Sequence, residues 1–221
     1  RTFVKDTPFT ETENFEGLIV SADQNKYIKM SGGIEAGSNA ITITESLPVV
    51  SLSVTAKDKK CFGVVSTSED PEERKEEYGN FISILEKEKG DTRVYINSVG
   101  EGAIWVTNIN GPLESGDYIT TSNVAGYGQK QDSEFLANYT VAKITMDCDF
   151  EPVTQPVQVI KKDEDGENIL DEHDQIQWED DPSGATEKAY KIRYLDADGN
   201  ITDEANAVHI AAFVGCTYHC G

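Results

Sequence analysis

Residues 100–131, "GEGAIWVTNINGPLESGDYITTSNVAGYGQKQ", are dense in turn-forming residues. A β-branched and aromatic run at 102–109 leads into Asn110-Gly111-Pro112, and "LESGD" then turns the chain into "YITTS". Asn-Gly adopts positive φ at low cost, and the glycines at 116, 126 and 128 each mark a tight bend. These residues predict an elaborate β-hairpin unit.

Short strand-like runs fill most of the remaining chain. Apolar residues alternate with polar ones, as at Val94 and Ile96, and Gly, Asn, Asp and Pro separate the runs. Only 68–79, which contains Pro71, and 132–138 have helix signals. We therefore predict a mainly β fold: a compact β-barrel or sandwich-like domain with a long β-hairpin arm and few short helices.

The acidic segment 163–181, "DEDGENILDEHDQIQWEDD", differs from the rest in composition. It carries ten acidic residues and no Lys or Arg, a pattern typical of a solvated segment. It separates "VQVIKK" (157–162) from "YKIRYL" (190–195), which we expect to pair as a hairpin. We predict a main β domain at 1–154. Residues 155–221 are expected to form an arm, whose tip is a β-ribbon or a flexible excursion, and a C-terminal strand that returns to the main domain.

The composition narrows the class of protein. The 221 residues are 38% hydrophobic and 27% charged, which suits a folded chain, and the net charge is −21. This charge repels phosphate backbones, so we expect no nucleic-acid binding. No run reaches the roughly 20 apolar residues of a membrane helix, so we expect no membrane insertion. The opening "RTFVKDTPF" lacks an initiator Met, which predicts a fragment or a processed piece.

Two Asp-Gly stretches resemble the middle of an EF-hand calcium loop, "DEDGEN" (163–168) and "DADGNITDE" (196–204). The full loop needs an acid at its first position and Glu at its twelfth. With Gly199 sixth, Tyr194 is first and Ala205 is twelfth, so the pattern fails. Asp and Gly also favour tight turns, and the stretches are predicted to be hairpin turns.

The four cysteines, at 61, 148, 216 and 220, allow three interpretations. Cys216 and Cys220 share one face of a strand but lie roughly 13 Å apart along it, too far for a disulfide within that strand. A zinc site would need convergence of distant cysteines, or of His219. A disulfide of another pairing and simple buried or edge thiols remain open. The run "HIAAFVG" before them predicts the closing strand of a β domain.

Catalytic signatures are sparse. With three histidines and no Gly-x-Ser-x-Gly elbow, no nucleophilic triad is evident. No glycine-rich stretch has the spacing and the Lys-Ser/Thr ending of a phosphate loop. We expect no cofactor and no metal site.

Several stretches together resemble one protein family. "GPLESGDYITTSNVAGYGQKQ" (111–131) is followed by "LANYTVAKITMDCDF" (136–150), with "FEGLIVSADQNKYIKMSGG" (15–33) upstream and "AAFVGCTYHCG" (211–221) at the end. This set is similar to the intramolecular-chaperone autoproteolytic (self-cleaving peptidase) C-terminal domains of phage and large-DNA-virus fibre or appendage proteins. The ending is similar to that of algal-virus versions.

The resemblance implies a domain at the end of a trimeric fibre that helps three chains fold in register and often cuts itself free. The cleavage motif of the family is an Asp-x-x-Glu-aromatic-Phe-Glu run, cut just before the Asp. Here "TETENFE" (10–16) supplies Glu13, Phe15 and Glu16, but Thr10 stands in the place of the Asp. We therefore expect that cleavage at this position is lost.

The leading expectation is a virion structural protein: a homotrimeric cap of a surface fibre, spike or appendage, assembled with other virion or capsid proteins. One alternative is an active peptidase in which the carboxylates of Glu13 and Glu16 act as acid and base. Another is a tip that binds a host receptor or glycan, with Trp105, Trp178 and Tyr127 as stacking surfaces.

Overall fold

The structure is a computed structural model that describes residues 2–4, 15–28, 34–36, 48–68, 75–78, 81–84 and 92–220. It is mainly β, as predicted, and the described residues contain two 3₁₀ helices, Asn108–Asn110 and Glu204–Asn206. Residues 132–138 form turns and bends in place of the helix predicted there. Of the other predicted helix, 68–79, residues 69–74 lie outside the described residues, and Lys75–Tyr78 is a strand.

The chain divides into two compact units, Arg1–Phe150 with Ile192–Gly221, and Glu151–Lys191. The first part of the first unit contains eight strands: β1 (Thr2–Val4), β2 (Ile19–Ile28), β3 (Ile34–Ala36), β4 (Pro48–Leu52), β5 (Cys61–Ser68), β6 (Lys75–Tyr78), β7 (Phe81–Ile84) and β8 (Thr92–Asn97). The next four strands of this unit are β9 (Val99–Thr107), β10 (Tyr118–Thr121), β11 (Gly128–Lys130) and β12 (Thr140–Ile144).

The second unit contains β13 (Thr154–Pro156), β14 (Gln158–Ile160), β15 (Trp178–Asp180) and β16 (Thr186–Lys188). The chain then returns to the first unit with β17 (Ile192–Leu195), β18 (Ile201–Thr202) and β19 (His209–His219). The predicted boundary at 154/155 is replaced by two, at 150/151 and 191/192, because β17 pairs with β18 and β19.

The first unit contains two rings of five strands that share one connectivity. In the first ring, β1 runs parallel to β4, and the antiparallel pairs β4–β2, β2–β5, β5–β8 and β8–β1 close it. In the second ring, β9 runs parallel to β11, and the antiparallel pairs β11–β10, β10–β12, β12–β19 and β19–β9 close it. In both, the first strand pairs with the third and fifth, and the second pairs with the third and fourth. Closing the ring removes exposed strand edges.

One apolar core joins the two rings. The first ring contributes Val20, Val50, Val65 and Val94, and the second contributes Trp105 and Ala211, all of them buried. Residues 15–18 run between the rings, since the amide of Gly17 donates to Val65 of the first ring and the carbonyl of Gly17 accepts from Trp105 of the second. The predicted hairpin unit 100–131 therefore supplies three strands of one ring.

The second unit is a β-arm closed by tight turns. Strand β13 pairs with β16, and β14 pairs with β15. Beyond them, the backbones of Lys161, Ile169 and Gln177 form a cyclic set of three hydrogen bonds, each 2.9 Å long. The acidic segment is therefore a folded β-arm tip. The expected pairing of 157–162 with 190–195 is wrong, because each of these segments finds a closer partner.

The predicted hairpin turns are confirmed, and they follow one pattern. Asp163, Asp171, Asp181 and Asp196 each accept a backbone hydrogen bond from the residue two positions later on the side-chain oxygen. The carbonyl of each Asp also accepts from the amide three positions later, where φ is positive. Three of those positions are glycine and the fourth is Asp174. The side-chain bond satisfies a turn amide that would otherwise need water.

Candidate functional site

Of the two predicted catalytic carboxylates, the structure describes one, that of Glu16. Glu13 lies outside the described residues, whereas Glu16 is exposed in a turn next to the buried Phe15. The backbone carbonyl of Glu16 accepts a hydrogen bond from the indole Nε1 of Trp105. Pairing of the Glu13 and Glu16 carboxylates therefore stays a prediction.

Two of the three predicted stacking aromatics belong to the core. Trp105 and Tyr127 are 5% and 4% exposed and meet edge to face, with ring centroids 6.4 Å apart. The guanidinium of Arg193 lies 4.0 Å from the centre of the Trp105 ring and donates a hydrogen bond of 3.2 Å to the Tyr127 hydroxyl. The interpretation of Trp105 and Tyr127 as ligand-stacking surfaces is therefore wrong, whereas Trp178 is 60% exposed.

Cys61 and Cys220 form a pair of thiols. Cys61 begins β5 in the first ring, and Cys220 directly follows β19 of the second. Their sulfur atoms lie 3.5 Å apart, and either thiol can donate a hydrogen bond to the other. This contact, followed by burial, raises the pKa of the Cys61 thiol. The pairing brings together two residues that are 159 positions apart.

Backbone hydrogen bonds hold both cysteines in place. The amide of Cys61 donates to the carbonyl of Asp58, and the Asp58 carboxylate accepts from the Ser21 hydroxyl. The amide of Cys220 donates to the carbonyl of Ser98, whose hydroxyl in turn donates to the carbonyl of Phe62. The last link connects the C-terminal end of β19 to β5, so hydrogen bonds hold the backbone of each cysteine in place.

A pocket with a volume of about 280 Å³ opens onto this pair. Its lining consists of both cysteines, Lys59, Phe62, Ser98, 137–138, Thr140 and His219. Both Cys61 and Cys220 are half-buried. A small polar molecule can therefore reach the two sulfur atoms from solvent.

The other two cysteines are buried. Cys216 lies on the inner face of β19 with Val214 and Tyr218, and burial raises its pKa to about 12. The backbone of Cys148 forms a bridge with Leu113. Among the described residues, no group of three or more His, Cys, Asp or Glu side chains is placed to hold a metal ion. The strand expected from "HIAAFVG" is confirmed as β19.

The β-arm exposes apolar side chains. Among 151–191, Pro152 is the one residue that is buried. Leu170 lies opposite Ile176 in an antiparallel bridge, and both are exposed. Trp178 lies opposite Ile160 in the ladder of β14 and β15. These four residues, which we call the apolar pairs of the arm, give an acidic ribbon an apolar surface.

Comparison of the chain with protein-family models, with curated proteins and with solved structures gave no match. Within the described part of the chain, no helix has the length and the apolar composition needed to cross a bilayer.

Sequence reasoning did not find the pairing of Cys61 with Cys220. From the sequence alone, the partner of each of the four cysteines stays open. The segment "KKCFGVV" around Cys61 has no spacing that points to residue 220. The contact between Cys61 and Cys220 depends on how distant strands pair around the rings, and local sequence patterns do not specify that pairing.

Proposed function

We propose that this chain is a virion structural protein. In this proposal it forms the homotrimeric, intramolecular-chaperone-like C-terminal domain of a viral surface fibre, spike or appendage. The viral setting and the number of three chains come from the sequence resemblance. The observation that supports self-association is the β-arm, which buries almost none of its side chains and exposes its apolar pairs.

The β-arm is too small to bury its own apolar side chains. A two-stranded β-ribbon is at best marginally stable alone, because it has no second layer on which to bury apolar surface. Covering Trp178 and its neighbours with a second and third copy of the arm removes about 25 cal/mol of unfavourable hydration per Å² of apolar area buried. Such contacts would also specify the register of the three chains, as in other symmetric assemblies.

The mass of the assembly in solution tests this proposal. We expect light scattering after gel filtration to give three times the chain mass of 24.3 kDa. Replacing Ile176 and Trp178 together by serine should shift the chain to monomer. Phe135→Ser is the matched control, because Phe135 is 80% exposed but lies outside the arm. The proposal would be contradicted if the wild-type chain is a monomer, or if the variant with serine at both positions is still a trimer.

Self-cleavage is a separate question with its own measurement. We propose that the chain stays intact, because Thr10 replaces the Asp of the motif. Intact-mass analysis of a chain extended upstream of Arg1 should give one uncleaved species. Release of a fragment that begins at Thr10 would favour the peptidase alternative, and Glu13→Gln and Glu16→Gln would then test the two carboxylates.

A further inference from the structure

We infer that Cys61 and Cys220 are a redox-active pair that forms a reversible disulfide between the two five-stranded rings. The sulfur atoms are already in contact at 3.5 Å, and a disulfide bond is about 2.05 Å long. Closing the remaining gap would need rotation of the two side chains, since backbone hydrogen bonds hold both cysteines in place. The bond would join the start of β5 to the end of β19.

The chemistry is thiol–disulfide exchange with a small-molecule disulfide. Because the pKa of the Cys61 thiol is raised, the attacking thiolate is that of Cys220. It attacks a sulfur of the small disulfide and releases one thiol, which leaves a mixed disulfide on the protein. The second cysteine then attacks the protein sulfur of that mixed disulfide and releases the second thiol. In total the protein loses two electrons and two protons, and the small disulfide is reduced to two thiols.

A small disulfide can reach the two sulfur atoms through the pocket. The pocket opens to solvent and is lined by both sulfurs, with polar groups from Lys59, Ser98, Asn138 and His219 around them. Oxidised glutathione, a polar small-molecule disulfide, serves as the probe. Cys216 is buried on the inner face of β19, so the exchange is expected to leave it unmodified.

The disulfide would link the end of the C-terminal strand β19 covalently to β5 and stabilise the fold. The bond closes a chain loop from residue 61 to residue 220, and a loop of this length lowers the entropy of the unfolded chain substantially. Oxidation should therefore raise the melting temperature by roughly 5–15 °C. Reduction should restore the lower value. In an oxidising environment the two rings would be locked together.

The experiment uses the full 221-residue chain, first reduced and then equilibrated with mixtures of reduced and oxidised glutathione. After acid quenching and alkylation, we expect the oxidised species to be monomeric on a non-reducing denaturing gel. Relative to the fully reduced and alkylated chain, its mass should be lower by two alkyl substituents, because two cysteines are alkylated instead of four. Peptide mapping should join Cys61 to Cys220. This outcome does not depend on whether the folded chain is a monomer or a trimer.

Matched variants separate this pairing from its competitors. Cys216→Ala should still form the bond, and it simplifies the map because Cys216 and Cys220 share one tryptic peptide. Cys61→Ala and Cys220→Ala should each abolish both the bond and the rise in melting temperature. Four alkylated thiols under oxidising conditions would overturn the inference, as would a Cys216–Cys220 bond, a link between two chains or a persistent glutathione adduct. If a variant does not fold, the peptide map of the wild-type chain alone identifies the disulfide pairing.

Discussion

The indole Nε1 of Trp105 donates a hydrogen bond of 3.0 Å to the backbone carbonyl of Glu16. This bond links a strand of the second ring to the turn that leads into the first ring. The amide of Trp105 makes a parallel link to the carbonyl of Gly17. Residues 15–18 are therefore held from both sides, and the way the two rings pack depends on them.

Replacing Gly17 by alanine should destabilise the fold by about 2–4 kcal/mol. Its φ is +80°, and an added Cβ would collide with the ring of Phe213 and lie 2.9 Å from Trp105. Urea unfolding measures the loss. Gly116→Ala is the control, since Gly116 also has positive φ but its nearest neighbour is the end of the Lys143 side chain at 3.9 Å. Equal losses for the two variants would contradict the role of the collision.

Replacing Arg193 by methionine should cost about 1–2 kcal/mol of stability. The variant keeps an apolar stem but loses the charge over Trp105 and the hydrogen bond to the Tyr127 hydroxyl. A double-mutant cycle with Tyr127→Phe should give a coupling of roughly 0.5–1.5 kcal/mol, read from urea unfolding. Arg193→Lys should fall between wild type and the methionine variant. Purely additive effects would show that the Arg193–Tyr127 contact contributes nothing.

The carboxylate of Asp196 should titrate below its ordinary value of 3.8. Hydrogen bonds from the Asn200 backbone and side chain stabilise the charged form and lower the pKa of Asp196. Because the pKa of Asp196 is lower in the folded than in the unfolded state, the ionised carboxylate stabilises the folded chain fully at pH values above the unfolded-state pKa. This stabilisation is lost as the pH falls through the folded value.

Carbon NMR titration of the side-chain carboxyl measures this midpoint directly. Asp196→Asn is the matched variant, because the amide oxygen can still accept from the turn but carries no charge. Its stability should fall less steeply than that of wild type as the medium is acidified below about pH 4. A carboxyl midpoint at or above 3.8 would contradict the turn geometry.

The proposed trimer should become more stable as salt is added. Each chain carries a net charge of −21, and the arm tip contains ten acidic residues without a basic one, so like charges converge when arms associate. Raising the salt concentration from about 0.01 to 0.5 M shortens the screening length from about 30 Å to a few Å and weakens this repulsion. Sedimentation equilibrium should show the dissociation constant falling. A dissociation constant that rises with salt would mean that attractive ion pairs hold the chains.

The turn chemistry could be predicted in detail because its causes are local. An Asp followed three positions later by Gly forms a tight turn at three places, and Gly166, Gly184 and Gly199 all adopt positive φ. Asp174 takes the same role without glycine, which the pattern "DEHD" does not reveal.

The pairing of strands was less predictable, because it depends on segments that are far apart in the sequence. The expectation that 157–162 pairs with 190–195 failed, since the sequence does not say which of several polar-apolar runs is the better partner. The helix signals at 132–138 were also overridden. There the Gln131 side chain donates to the carbonyls of Ser133 and Phe135, which stabilises a folded loop in place of a helical turn.

The mainly β fold, its Asp-Gly turns and its closing strand could be predicted from the sequence, because each follows from the conformational preferences of a few adjacent residues. The two strand rings, the burial of Trp105 and Tyr127, and the contact between Cys61 and Cys220 are set by long-range packing instead. These depend on which segments meet after loops of very different length have closed. That choice is set by the total apolar surface buried in the shared core.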